Sequence, residues 1–128
     1  MTEKSTILIA SYEPIMMQSI ECLLEDEGYK FIFAKNGEEA ISLAVSQKPD
    51  LIFLHYGMPK RDGLEAFLEI RKHPELKKIP IIIASADADR LEKAKEFQTG
   101  AEYYLSLPFD AKDFIIKVKE LLALHRRS

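Results

Sequence analysis

Leu51-Ile52-Phe53-Leu54-His55-Tyr56-Gly57-Met58-Pro59-Lys60-Arg61-Asp62-Gly63 decides the fold. Its first four residues are apolar without alternation, the pattern of a strand covered on both faces. The residues after His55 are loop formers, and Asp62-Gly63 then opens a helical pattern carried by Leu64, Phe67, Leu68 and Arg71. A buried strand that feeds a loop and then a helix is half of a βαβ unit. In such proteins the carboxyl ends of the strands form the functional edge of the sheet. His55, a titratable side chain at that edge, is the first candidate for chemistry.

The same alternation runs along the rest of the chain. Apolar runs recur at Ile7–Ala10, Phe31–Ala34, Ile79–Ala84 and Tyr103–Leu105. Helical patterns fill the intervals. Pro14 suits a first helical turn, followed by Met16, Ile20, Leu23 and Leu24 up to Gly28. Gly37 to Gln47 carries Ala40, Ile41 and Ala44, and Asp87 to Thr99 carries Leu91, Ala94 and Phe97. Asp110 reads as the N-cap of a last helix with Phe114, Ile115, Val118, Leu121, Leu122 and His125. Strands separated by helices imply right-handed crossovers and a parallel sheet. The expected fold is α/β: a doubly wound (βα)5 three-layer sandwich. Its parallel five-stranded sheet takes the flavodoxin-like order 2-1-3-4-5, usual for this strand number. Residues 1–128 are expected to form a single domain, since 128 residues suit one core.

Bulk composition narrows the function. A hydrophobic share of 47% and a charged share of 30% are ordinary for a globular chain. A net charge of −3, with scattered basic residues, gives no electrostatic case for nucleic acid or an anionic membrane. No apolar run approaches the length of a membrane span, so a cytoplasmic location is expected. The single cysteine, Cys22, excludes an internal disulfide and a cysteine-based zinc site, and is expected to be partly buried and inert. No Gly-rich phosphate loop, Walker-type motif or nucleophile elbow is present, so no enzyme, cofactor or metal centre is expected.

An ordered set of landmarks resembles the receiver domain of bacterial two-component response regulators. The set comprises Ile7-Leu8-Ile9-Ala10, Glu13-Pro14, Asn36-Gly37-Glu38-Glu39-Ala40 and Pro49-Asp50-Leu51-Ile52. It continues with Met58-Pro59, Asp62-Gly63-Leu64-Glu65, Ile79-Pro80-Ile81-Ile82, Gly100-Ala101 and Pro108-Phe109-Asp110. The resemblance implies a CheY-like, flavodoxin-like fold and a place in phosphorelay signal transduction. It also implies five functional positions. Two acidic residues follow the first strand, an aspartate ends the third, a hydroxyl ends the fourth, and a lysine precedes a proline after the fifth. The acids hold Mg²⁺, which wants hard oxygen ligands, and the aspartate accepts a phosphoryl group whose charge the metal, lysine and hydroxyl stabilise.

This chain departs from that pattern. Ser11 and Tyr12 stand at the acidic pair, His55 at the phosphoacceptor and Leu107 at the lysine, while Ser85 keeps the hydroxyl. The pocket has shed charges of both signs together, and a lone charge left behind would have been costly. His55 is expected to be a neutral imidazole bonded to Ser11, Ser85 or a backbone carbonyl. The reading is an atypical receiver, a pseudo-receiver, acting by protein–protein contact without aspartate phosphorylation or Mg²⁺. The alternative is a small-molecule-binding or pH-sensing module in the emptied pocket around His55.

The resemblance places the contact face on the fourth helix, fifth strand and fifth helix. Arg90, Lys93, Tyr103, Tyr104, Lys117 and Lys119 are its expected residues, with Tyr104 at the position that moves together with the hydroxyl in active receivers. The expected partner is a signalling protein such as a sensor kinase or an output protein, or a second copy through the same face. The resemblance also implies a cis Leu107–Pro108 bond.

Overall fold

The computed structural model describes residues 5–127. The strands are β1 Thr6–Ala10, β2 Lys30–Ala34, β3 Leu51–His55, β4 Ile81–Ser85 and β5 Glu102–Ser106. The helices are α1 Pro14–Leu24, α2 Gly37–Gln47, α3 Gly63–Arg71, α4 Ala88–Lys95 and α5 Ala111–Arg127. Short 3₁₀ turns, Glu25–Glu27 and Pro74–Leu76, follow α1 and α3. All pairings are parallel, and the order is β2-β1-β3-β4-β5, the expected flavodoxin-like arrangement.

Period-two alternation in the central strands divides the core between two faces. Leu8, Ile52, Leu54, Ile81 and Ile83 pack with Ala40, Phe67, Ile70 and Leu91, from α2, α3 and α4. Ile7, Ile9, Phe53, Ile82 and Ala84 pack with Ile20, Leu24, Phe114 and Val118, from α1 and α5. Burying both faces explains why β3 and β4 read as unbroken apolar runs. Removing one such side chain, Phe67 for example, would cost about 3–5 kcal/mol.

The helix starts are locally encoded. Asn36 Oδ1 accepts from the Glu39 amide at 2.9 Å, and Asp110 Oδ1 from the Asp113 amide at 2.9 Å. Asp62 and Glu65 form a reciprocal capping box at α3. The expected strand at Ile79–Ala84 begins two residues later, because the Ile79 amide closes the turn after α3 on Leu76 O. The helix expected over Asp87 to Thr99 ends at Lys95 and gives way to turns. Cys22 is exposed, a correction to its expected partial burial. Ile20 and Leu24 face the core, and residue 22 points to the other side of the helix.

Candidate functional site

The order reverses at β1 and β3, so their carboxyl ends, with those of β4 and β5, frame one crevice. The register sets Ala10 beside Leu54 and His55 beside Ala84, which brings residues 11, 55 and 85 to one edge. Ser11 is fully buried and its Oγ shares a 3.1 Å hydrogen bond with His55 Nδ1. The same Oγ accepts from the Glu13 amide at 3.1 Å. Glu13 Oε1 lies 3.5 Å from His55 Nδ1, and the Tyr12 ring stacks on the imidazole at 6.1 Å with an 11° interplanar angle. The His55 side chain is only 12% exposed. Burial lowers its pKa below the ordinary 6.5, and Arg90 adds to the effect while Glu13 opposes it. The imidazole is therefore neutral at neutral pH.

Ser85 is buried but does not bond His55. Its Oγ accepts the Asp87 amide at 3.0 Å, at the start of α4. Leu107 packs with Phe109 and Phe114 on the α1/α5 face, next to a cis Leu107–Pro108 bond. Its side chain borders a groove shared with α1. Tyr12, Gly57, Met58, Pro59, Asp62 and Arg90 line a separate cleft of about 480 Å³. Tyr12 reaches that cleft, whereas Ser11, His55 and Ser85 do not line it. Among the described residues no group of three or more His, Cys, Asp or Glu side chains is placed to hold a metal ion.

The second set of expected residues divides across the sheet. Tyr103 and Tyr104 are neighbours on β5, so their side chains point to opposite faces. Tyr103 joins the α1/α5 side, with Lys117 Nζ 4.8 Å from its ring centre. Tyr104 joins the α4 side, with Lys95 Nζ 5.7 Å from its ring centre. The Tyr104 hydroxyl is enclosed and has no hydrogen-bond partner among the described residues, whereas a sheet-edge tyrosine ordinarily keeps its hydroxyl in water. Burial pushes its pKa up to about 12, with Glu102 adding to the effect. Arg90 stacks over Tyr56 at 5.3 Å and lies 3.8 Å from Asp87, on the His55 side of α4. Lys93 is exposed, and Lys119 reaches Glu27 at 3.3 Å, on the side of the turn after α1.

Sequence reasoning missed Lys95 and the contact of Glu13 with His55. Lys95 lies four residues after the buried Leu91, which turns it toward β5, a spacing visible in the sequence. Glu13 was legible as a nearby carboxylate, but its contact with His55 depends on the turn that Ser11 ties.

The model of the response regulator receiver domain matches residues 7–119. Among solved structures, the chain is similar to the receiver domain of a signal transduction histidine kinase from Syntrophus aciditrophicus. Identity there is 27% and the TM-score 0.86, over 97% of this chain and 94% of that one. It is also similar to the receiver domain of the sensor histidine kinase PA1611 from Pseudomonas aeruginosa, a structure with a magnesium ion coordinated in its active-site cleft. Identity is 27% and the TM-score 0.84, over 94% of this chain and 99% of that one. A CheY-like receiver from Methanospirillum hungatei shares the fold at a TM-score of 0.87 and 22% identity, over 98% of each chain. With the family's landmarks in order along the sheet, the chain belongs to the response regulator receiver domain family, the receiver module of two-component signalling.

Proposed function

We propose that this chain is an atypical receiver that works by contact with a signalling protein and carries no phosphoryl chemistry of its own. The observation that supports this reading most is the His55–Ser11 hydrogen bond, capped by the stacked Tyr12 ring. The receiver pattern calls for an aspartate oxygen here; the position instead offers an imidazole whose Nδ1 already faces Ser11 and Glu13. The donor set also fails to fit Mg²⁺, which demands several hard oxygens in octahedral geometry. Ser11 Oγ is occupied by His55 and the Glu13 amide, and Tyr12 brings a phenol in place of a carboxylate. Leu107 supplies no cation to balance a transferring phosphoryl group.

The output surface in this reading is the β5 edge with α4 and α5. Tyr103 with Lys117 forms one anchor and Tyr104 with Lys95 the other, each a lysine set over an aromatic ring. A partner that straddles β5 would meet both. Its expected identity is a sensor kinase or output protein in the cytoplasm. Among the described residues no helix is long and apolar enough to cross a membrane.

Incubation with acetyl phosphate and Mg²⁺, followed by intact-mass measurement, tests the reading. Unchanged mass is expected; a phosphoryl adduct on His55 would overturn it.

A further inference from the structure

A groove of about 840 Å³ runs between the start of α1 and the loop from β5 to α5. That volume falls within the roughly 300–1,000 Å³ of sites for small organic ligands. Its walls are apolar: Ile15 and Met16 from α1 face Leu107, Pro108 and Phe109 from the other side. Ile15 is 77% exposed and Tyr12 53%, so this apolar surface stands open to water. A contiguous open patch of that kind marks an interaction site more often than a scattered exposed side chain does.

Glu13 is the one charged residue among the described residues lining the groove. Its side chain is 46% exposed. Among the described residues its ion-pair contact is with His55, which burial keeps neutral at neutral pH. The groove thus joins an apolar trough to a carboxylate that lacks a cation. The complementary ligand has an apolar body and a single positive head. A second copy of the chain fits poorly, because a two-fold contact centred here would set one Glu13 against the other.

We propose that the groove between α1 and the β5–α5 loop binds a small organic amine, its aryl or alkyl body against Leu107, Phe109 and Met16 and its ammonium on Glu13. Leu107 is the specificity-determining residue. Where the family resemblance implies a lysine, the leucine removes the cation that would compete for Glu13 and supplies an apolar wall. The site gives the domain an input that needs no phosphate. It goes beyond the contact reading above and is independent of the Tyr104 face.

Phenethylamine and its neutral analogue phenethyl alcohol are the probes, titrated into the full chain at neutral pH and followed by amide NMR. Shifts are expected at Tyr12 to Met16, Ala86 and Leu107 to Phe109. The amine should bind about tenfold tighter than the alcohol, the value of one charge-assisted contact at a half-exposed site. Glu13→Gln should erase that preference and leave the alcohol unaffected. Leu107→Lys should abolish binding of both, while the conservative Leu107→Met retains it and controls for folding. Absence of shifts with either probe, as for a groove that serves a protein partner, overturns the proposal. So does equal affinity of amine and alcohol, or an amine preference that survives Glu13→Gln. A phosphoryl adduct in the mass experiment would sink the phosphate-free reading without touching this result.

Discussion

His55 shows how a single buried contact sets a pH dependence. The folded state resists protonating the imidazole, so its pKa lies below the ordinary 6.5 of the unfolded chain. Between the two values the unfolded state binds more protons, and stability rises with pH. Above 6.5 the penalty vanishes; below the folded pKa it is complete and constant. Wild-type stability relative to His55→Gln should therefore fall as pH drops through this window, as read from urea unfolding at a series of pH values. A difference that stays flat with pH would mean that Glu13 stabilises the cation as much as burial opposes it. Tyr104 offers a second case. Its enclosed, unpartnered hydroxyl costs about 1–3 kcal/mol of lost hydration. Tyr104→Phe should stabilise the protein by about 1 kcal/mol in denaturant unfolding. Destabilisation would show that the hydroxyl has a bonded water. Neither property was legible in the sequence, because both depend on how deep the atom sits rather than on residue type.

Helix α2 carries the clearest constraint among the elements. Its first residue, Gly37, packs so closely on the β3–α3 loop that an added Cβ would lie 2.0 Å from Arg61 O. The Gly37 and Glu38 amides donate to Pro59 O and Lys60 O at 3.3 and 3.1 Å, which seats the loop on the helix N-terminus. Lys60 and Arg61 hold positive φ angles of 48° and 79° to make that approach. Gly37→Ala would ordinarily favour a helix by up to about 1 kcal/mol. Here it should instead destabilise by about 1–3 kcal/mol, because helix and loop must separate. A melting temperature at or above wild type would show that the loop yields without cost. The sequence announced α2 and its Asn36 cap plainly. It did not announce the contact, which joins residues far apart along the chain. The weak α4 was legible in its start and not in its end, since Asp87 is a local cap while the turns after Lys95 follow from β5.

Across the whole molecule, the topology was readable because five apolar runs alternate with helical stripes in a length that fits one solution. The strand ends were equally readable, and the register sets residues 11, 55 and 85 at one edge of the sheet, as the landmarks imply. One interior element was not. Arg71 occupies a core-facing position of α3, next to Leu64, Phe67 and Leu68 in the stripe, where the pattern alone suggests solvated charge. The structure buries it against Glu102, with Nη2 2.8 Å from Oε2. Nη1 donates to Leu76 O at 2.9 Å and Ile79 O at 2.8 Å, and Nη2 to Ala101 O at 3.4 Å. Glu102 in turn accepts from the Thr99 and Gly100 amides and the Thr99 hydroxyl. Burial pushes the Glu102 carboxyl up, but the bonds from Thr99 and Arg71 outweigh it and hold it low. A buried charge with nearly every donor satisfied is tolerable only as such a complete set.

That set lies at the amino-terminal ends of β4 and β5, opposite the edge that holds His55. It closes the turns before both strands with one side chain from a third element. At the other edge no buried ion pair gathers the loops among the described residues; Ser85 ties to Asp87, and Ser11 to Glu13 and His55. Motion should therefore be graded along the strands: amides near Ile81 and Glu102 exchange with solvent last, and those beyond Ser85 and Ser106 first. On that gradient the floor acts as the anchor, and a molecule arriving at the open rim would move the loops there without loosening the sheet beneath.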